Sequence, residues 1–185
     1  GEWITYTYSP NEGDATFFVR EIDGDTVYST YNAKRAAFSS NNGWLAFLVD
    51  PVKAEAEKLR KQKKQVNSNL HLYNLNDRSV EEIKDVQGYS FSETANFIAI
   101  QKVKKDRDAE HNGTDLILKS LSGNMVLNIG NVSSYGFNET GGLFTYLVDA
   151  DGQAGNGVYT IDLSSMSTQA VHSSANTYSQ LVWNE

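Results

Sequence analysis

Apolar and polar residues alternate with a period of two in short runs along most of this chain, which is the pattern of half-buried strands. Residues 3–9 (WITYTYS), 16–22 and 26–31 carry it in β-branched and aromatic residues. Asp23-Gly24 between the second and third run is a two-residue hairpin signal, because glycine accepts the positive φ that a type I′ turn requires. Similar runs at 44–49, 69–75, 79–86, 97–103, 114–121, 124–129, 143–148, 158–162 and 168–172, with short runs ending at Phe38, Phe91 and Phe137, predict strands through the rest of the chain. Residues 178–183 read as one more strand with nothing after it. A single stretch breaks the rule: residues 52–66 (VKAEAEKLRKQKKQV) consist mainly of strong helix formers and predict a short helical insertion, with a partly ordered hairpin as the alternative.

The strands repeat. Phe38-Ser39 precedes Trp44, Phe91-Ser92 precedes Phe97 and Phe137-Asn138 precedes Leu143, the aromatic lying six positions before the start of the next strand each time. The aromatics lie 53 and then 46 residues apart, and a further step of 46 lands on Trp183-Asn184. Four antiparallel strands per period, with turn residues between them, predict an all-β fold built of β-propeller blades. The expected blades cover about 3–33, 34–86 with the insertion at 52–66, 87–132 and 133–177, and a closing or next-blade strand covers 178–184. That makes one propeller domain or fragment of about four blades over residues 1–185, small or partial. A β-sandwich would not place one motif at one phase three times, and a parallel α/β fold needs helices between its strands. The aromatics Phe38, Trp44, Phe91, Phe97 and Phe137 read as packing between blades. The polar stretches 52–66, 104–113 and 149–157 follow second strands and fall on one rim.

Charge adds one feature. The chain holds 16 basic and 23 acidic residues, a net charge of −7, which argues against a phosphate-tracking nucleic-acid binder. Six of the basic residues lie in the insertion, so Arg60, Lys61, Lys63 and Lys64 form a candidate contact surface in an otherwise acidic protein. With no cysteine there is no disulfide, thiolate nucleophile or Cys-ligated zinc. No apolar run approaches the ~20 residues of a membrane helix, and the N-terminus, beginning on Gly1, reads as a cut end.

Candidate chemistry is sparse. Asp149, Asp151 and Asn156 around Gly152 resemble the opening of a calcium loop, but the later ligands of such a loop are missing, and an ordinary polar turn is the expectation. Asn11-Glu12-Gly13-Asp14 is discounted in the same way, and three Asn-x-Ser/Thr triplets at Asn112, Asn131 and Asn138 are read as chance. Glu81 and Glu82 fall on a strand, where alternation sends them to opposite faces. A G-x-S-x-G nucleophile elbow is absent, since residues 88–92 (GYSFS) lack the second glycine, and His71, His111 and His172 have no nucleophile context. No catalytic residue, metal or cofactor is therefore expected.

The opening WITYTYSPNEGDATFFVREIDG, with Tyr31-Asn32-Ala33 and FSSNNGWLAFLVDP followed by a lysine-rich insertion, resembles the N-terminal propeller of prolyl oligopeptidase-family serine peptidases of Bacteroidetes-type bacteria. The resemblance covers most of the chain. It implies a propeller that serves as scaffold and substrate gate for an α/β-hydrolase domain bearing a Ser-Asp-His triad. It further implies a secreted bacterial protein, periplasmic or extracellular, whose partners are its own hydrolase domain and peptide in transit. The alternative from a different class is a free-standing binding propeller that recognises a peptide, glycan or protein through its rim loops. In either case open blade edges invite self-association.

Overall fold

A computed structural model describes residues 1–184 apart from Ala95 and Arg107. Arg107, within the expected rim loop 104–113, therefore lies outside the described residues, as does Glu185. The chain forms two compact units, Gly1–Val86 and Gln87–Glu185.

The first unit opens with an antiparallel three-stranded sheet, β1 (Trp3–Tyr8), β2 (Thr16–Glu21) and β3 (Thr26–Tyr31), in that spatial order. Next come β4 (Ala33–Phe38), β5 (Trp44–Val49), helix α1 (Lys53–Lys61), β6 (Ser68–Asn74) and β7 (Val80–Phe91), whose second part belongs to the next unit. Each of β4 to β7 pairs antiparallel with its neighbour in sequence. Phe17 and Val19 of β2 meet Leu45 and Phe47 of β5 and Tyr73 of β6 in one buried cluster. Residues 45–48 of β5 are all buried, so both faces of this strand are covered and its sequence reads as a continuous apolar run.

In the second unit β8 (Phe97–Lys102), β9 (Thr114–Ser120), β10 (Val126–Phe137), β11 (Leu143–Val148), β12 (Gly157–Asp162) and β13 (Ser167–Ser173) pair antiparallel in sequence order. A 3₁₀ turn, Asp151–Gln153, lies between β11 and β12. Its core joins Ala99, Leu116, Leu118, Phe144, Tyr146 and Ile161. The antiparallel blades are those of a β-propeller fold.

Backbone geometry explains the sequence repeat. The backbone N–H groups of Ser39, Ser92 and Asn138 donate to the carbonyls of Trp44, Phe97 and Leu143. In return the side-chain oxygens of the same three residues accept the N–H of those partners at 3.0, 3.1 and 2.7 Å. The recurrent Ser/Asn thus closes the turn between the first and second strands of a blade. A second repeat is invisible as a residue pattern: Asn32, Asp85 and Asn131 have φ of 51, 55 and 57°. They sit at the same intervals as the aromatics, where one blade's last strand passes into the next blade's first.

This passage corrects two expected boundaries. The runs 79–86 and 89–91 form the single strand β7, and 124–129 and 135–137 lie in the single strand β10. β10 shifts register between Ile129 and Val132 and again between Val132 and Ser134, so bulges around left-handed Asn131 turn the ladder without ending it. The helix is also shorter than the expected 52–66. Lys64 N–H bonds to Leu59 O and Lys63 N–H to Arg60 O, each at 2.9 Å, and Lys63 adopts φ 56°, a Schellman closure that stops the helix after Lys61. Residues 178–184, expected as a strand, have no strand conformation. Leu181 and Trp183 are partly covered and Val182 and Asn184 exposed, so the alternation is present without a ladder. A strand requires a hydrogen-bonding neighbour, and apolar alternation by itself provides none.

Candidate functional site

The insertion is anchored by residues distant in sequence. Its N-cap residue, Val52, offers no side-chain acceptor to the helix N-terminus. Asp14, in the loop before β2, fills the role: its Oδ1 accepts the Lys53 backbone N–H at 2.9 Å and the Asn32 amide at 2.7 Å. Asn32 Oδ1 in turn accepts the Ala15 N–H at 3.2 Å. The hydrogen bonds from Asn32 and from the Lys53 backbone hold the Asp14 carboxyl below the usual carboxylate range. Ala56 is buried and Leu59 half-buried, so α1 has a covered face.

α1 separates two depressions of opposite character. On the side of Glu55 and Leu59 a cleft of about 450 Å³ is lined by Tyr31, Asn69, His71, Glu82 and Asp85. Asn69 Nδ2 donates to Glu82 at 2.6 Å and Asn67 Nδ2 to Asp85 at 2.8 Å, which fixes both carboxylates. His71 Nδ1 lies 3.0 Å from the Tyr28 hydroxyl and its ring packs against Phe47. Burial pushes the imidazole pKa below its ordinary value, against the opposing charge of Glu82.

On the other side a groove of about 700 Å³ runs beside Lys53, Ala56, Glu57 and Arg60. Its far wall is Ala33, Lys34, Val66 and Ser68. Lys34 is engaged, with Nζ 2.7 Å from Asp50 Oδ2. Burial raises the Asp50 pKa, but the hydrogen bonds from Lys34 and Ser68 outweigh it and leave the carboxyl below the usual range. Of the four cations singled out from sequence, Arg60 and Lys61 end the helix and Lys63 and Lys64 form its closing turn; all four are exposed. Basic groups in the last turn also face the negative end of the helix dipole. Among the described residues none of the four lies in an ion pair.

Of the calcium-like residues, the structure brings Asp149 and Asn156 side by side, and Asp149 and Asp151 line one depression. Asp149 is buried, accepts the Asn112 N–H at 2.7 Å and stands 3.5 Å from Asn156 Nδ2. Asn156 Oδ1 accepts the Ala150 N–H at 2.7 Å, while Asp151 is exposed at the start of the 3₁₀ turn. Asp149 and Asn156 therefore brace the loops 104–113 and 149–157. Gly113 completes the brace, since a Cβ there would stand 2.2 Å from Asp149 O. Among the described residues no three His, Asp or Glu side chains are placed to share a metal ion. His172 Nδ1 lies 2.7 Å from the Tyr178 hydroxyl, and the His111 carbonyl accepts from Lys104 Nζ.

No family model and no curated protein matches the sequence. Solved structures do match its fold. The β-propeller domain of the trilobed protease from Pyrococcus furiosus, described as having an open velcro topology, is 13% identical over 94% of this chain and 55% of its own, with a TM-score of 0.54. A prolyl endopeptidase is 11% identical over 94% of this chain and 28% of its own, with a TM-score of 0.52. The acylaminoacyl peptidase of Pyrococcus horikoshii is 11% identical over 93% and 31%, with a TM-score of 0.51. This chain thus spans about half of the first of these structures and about a third or less of the other two. What it shares with them is the fold, a β-propeller of the kind these peptidases carry.

Proposed function

We propose that this chain is a non-catalytic propeller module of a prolyl oligopeptidase-like serine peptidase, acting as scaffold and substrate gate for an α/β-hydrolase domain. One observation carries the reading: peptidase structures match nearly the whole chain while the chain matches only part of each of them. The sequence supplies no nucleophile elbow of its own, in keeping with chemistry performed by another domain. The partners are that hydrolase domain and peptides in transit, and the compartment is the bacterial periplasm or exterior.

The test is active-site labelling of the native polypeptide with a fluorophosphonate, followed by peptide mapping. A labelled serine outside residues 1–185 is the expected result. Label on a serine within 1–185, or a native polypeptide that carries no reactive serine, overturns the reading.

A further inference from the structure

We infer that the groove between α1 and residues 33–34 and 66–68 docks a short acidic polypeptide segment of a partner. The charge distribution sets the sign. Of the 16 basic residues, six lie in 52–66, against two of the 23 acidic ones, so the insertion carries +4 and the rest of the chain −11. Helical spacing sets the geometry, because Lys53, Glu57 and Arg60 fall at i, i+4 and i+7 on the groove side of α1. Lys61, Lys63 and Lys64 continue the cationic surface at the helix end.

The surface is held in place. Asp14 pins the first turn of α1, Ala56 is buried under its middle and the Schellman bonds fix Lys63 and Lys64 after its end. Lys63 adopts the left-handed conformation that glycine adopts most easily, so a cation occupies a position where local backbone preference favours another residue. Small and apolar groups, Ala33, Ala56 and Val66, contribute to the lining between its charges. The complementary segment therefore bears two or three carboxylates around a small apolar side chain.

The acidic remainder of the chain selects among anions. A short segment contacts the insertion alone, whereas a nucleic acid or an anionic membrane extends past one Debye length, about 8 Å at physiological salt, and meets the excess negative charge. Docking at this groove is independent of whether the chain serves a peptidase.

Fluorescence anisotropy of the full chain with a fluorescein-labelled, C-terminally amidated peptide Asp-Glu-Ala-Glu tests the inference. Binding is expected to weaken at least tenfold between about 50 and about 200 mM salt. The triple substitution Arg60→Glu, Lys63→Glu, Lys64→Glu is expected to weaken it at least tenfold while the melting temperature stays near that of the parent. Lys84→Glu, on the opposite side of α1, is expected to leave it unchanged. Equal binding by the triple variant, or equal binding of the peptide with lysine at every acidic position, overturns the inference. Tighter binding of a heparin oligosaccharide than of the peptide also overturns it, in favour of a general polyanion site. A self-association that the triple variant abolishes overturns it in favour of a second copy as the occupant.

Discussion

Ser39 and Ser92 are each 1% exposed, and the Oγ of each receives a backbone N–H five residues on. Removal of such an acceptor leaves a buried donor unpaired, at a cost of about 1–3 kcal/mol. Ser39→Ala is therefore expected to lower the denaturant midpoint with an unchanged slope, and Ser39→Asn to lower it less, because Asn138 performs the same task in the last blade. An alanine variant as stable as the parent removes this role. A second residue-scale effect depends on pH. Asp162 Oδ1 accepts from the Ser164 hydroxyl at 2.6 Å and from the Ser164 and Ser165 N–H groups at 2.9 and 3.0 Å, which lowers its pKa from 3.8 to about 2. Since the folded value is depressed, the stability it contributes is present above 3.8 and is lost as pH falls through about 2. Asn74 accepts the equivalent two backbone N–H groups between β6 and β7 with an amide oxygen that does not titrate. Asp162→Asn is accordingly expected to keep the turn and to flatten the decline in melting temperature between about pH 4 and about pH 2; parallel declines in parent and variant contradict the assignment. The Ser/Asn repeat was legible in the sequence, but beside the aromatics it looked incidental. Its hydrogen bonds closing each turn are what the structure adds.

Strands were the most legible elements, because in a blade both the turn chemistry and the alternation act over a few residues. β3, β5 and β11 begin and end where their apolar runs do. The passages between blades were not legible, since left-handed Asn32, Asp85 and Asn131 look like ordinary loop residues and the bulges at the last two depend on partner strands. For α1, composition announced the helix and long-range contacts decided its ends. The N-cap is supplied by Asp14, 39 residues upstream of the Lys53 N–H it accepts, a distance no local capping signal spans. Asp14→Ala removes that acceptor and also releases the Asn32 amide. The amides of α1 are then expected to exchange with solvent several-fold faster, while those of β5 and β6 keep their protection. Unchanged exchange in α1 shows that burial of Ala56 and Leu59 suffices to hold the helix.

At the scale of the molecule, one blade carries exposed apolar side chains. In the first unit, alternation and register place Ile4, Tyr6 and Tyr8 of β1 on one face with Phe18 of β2 and Tyr31 of β3. Tyr6 stacks on Phe18 with ring centroids 5.1 Å apart, yet Ile4, Tyr6, Tyr8 and Tyr31 remain 45, 43, 61 and 55% exposed. The opposite face of the same sheet buries Phe17 and Val19 at 3 and 0% exposure. A three-stranded sheet apolar on both faces is the pattern of a propeller blade covered on both sides, and exposed clusters of this kind mark interaction surfaces. At tens of micromolar the chain is expected to self-associate through this face. The association should persist or strengthen at high salt, because apolar burial is not screened, and this separates it from ionic docking beside α1. The double substitution Tyr6→Lys and Tyr8→Lys should return the chain to monomer in sedimentation velocity without changing its circular dichroism. A parent that sediments as a strict monomer across this range, or a double variant that associates as the parent does, rules out this face as the contact.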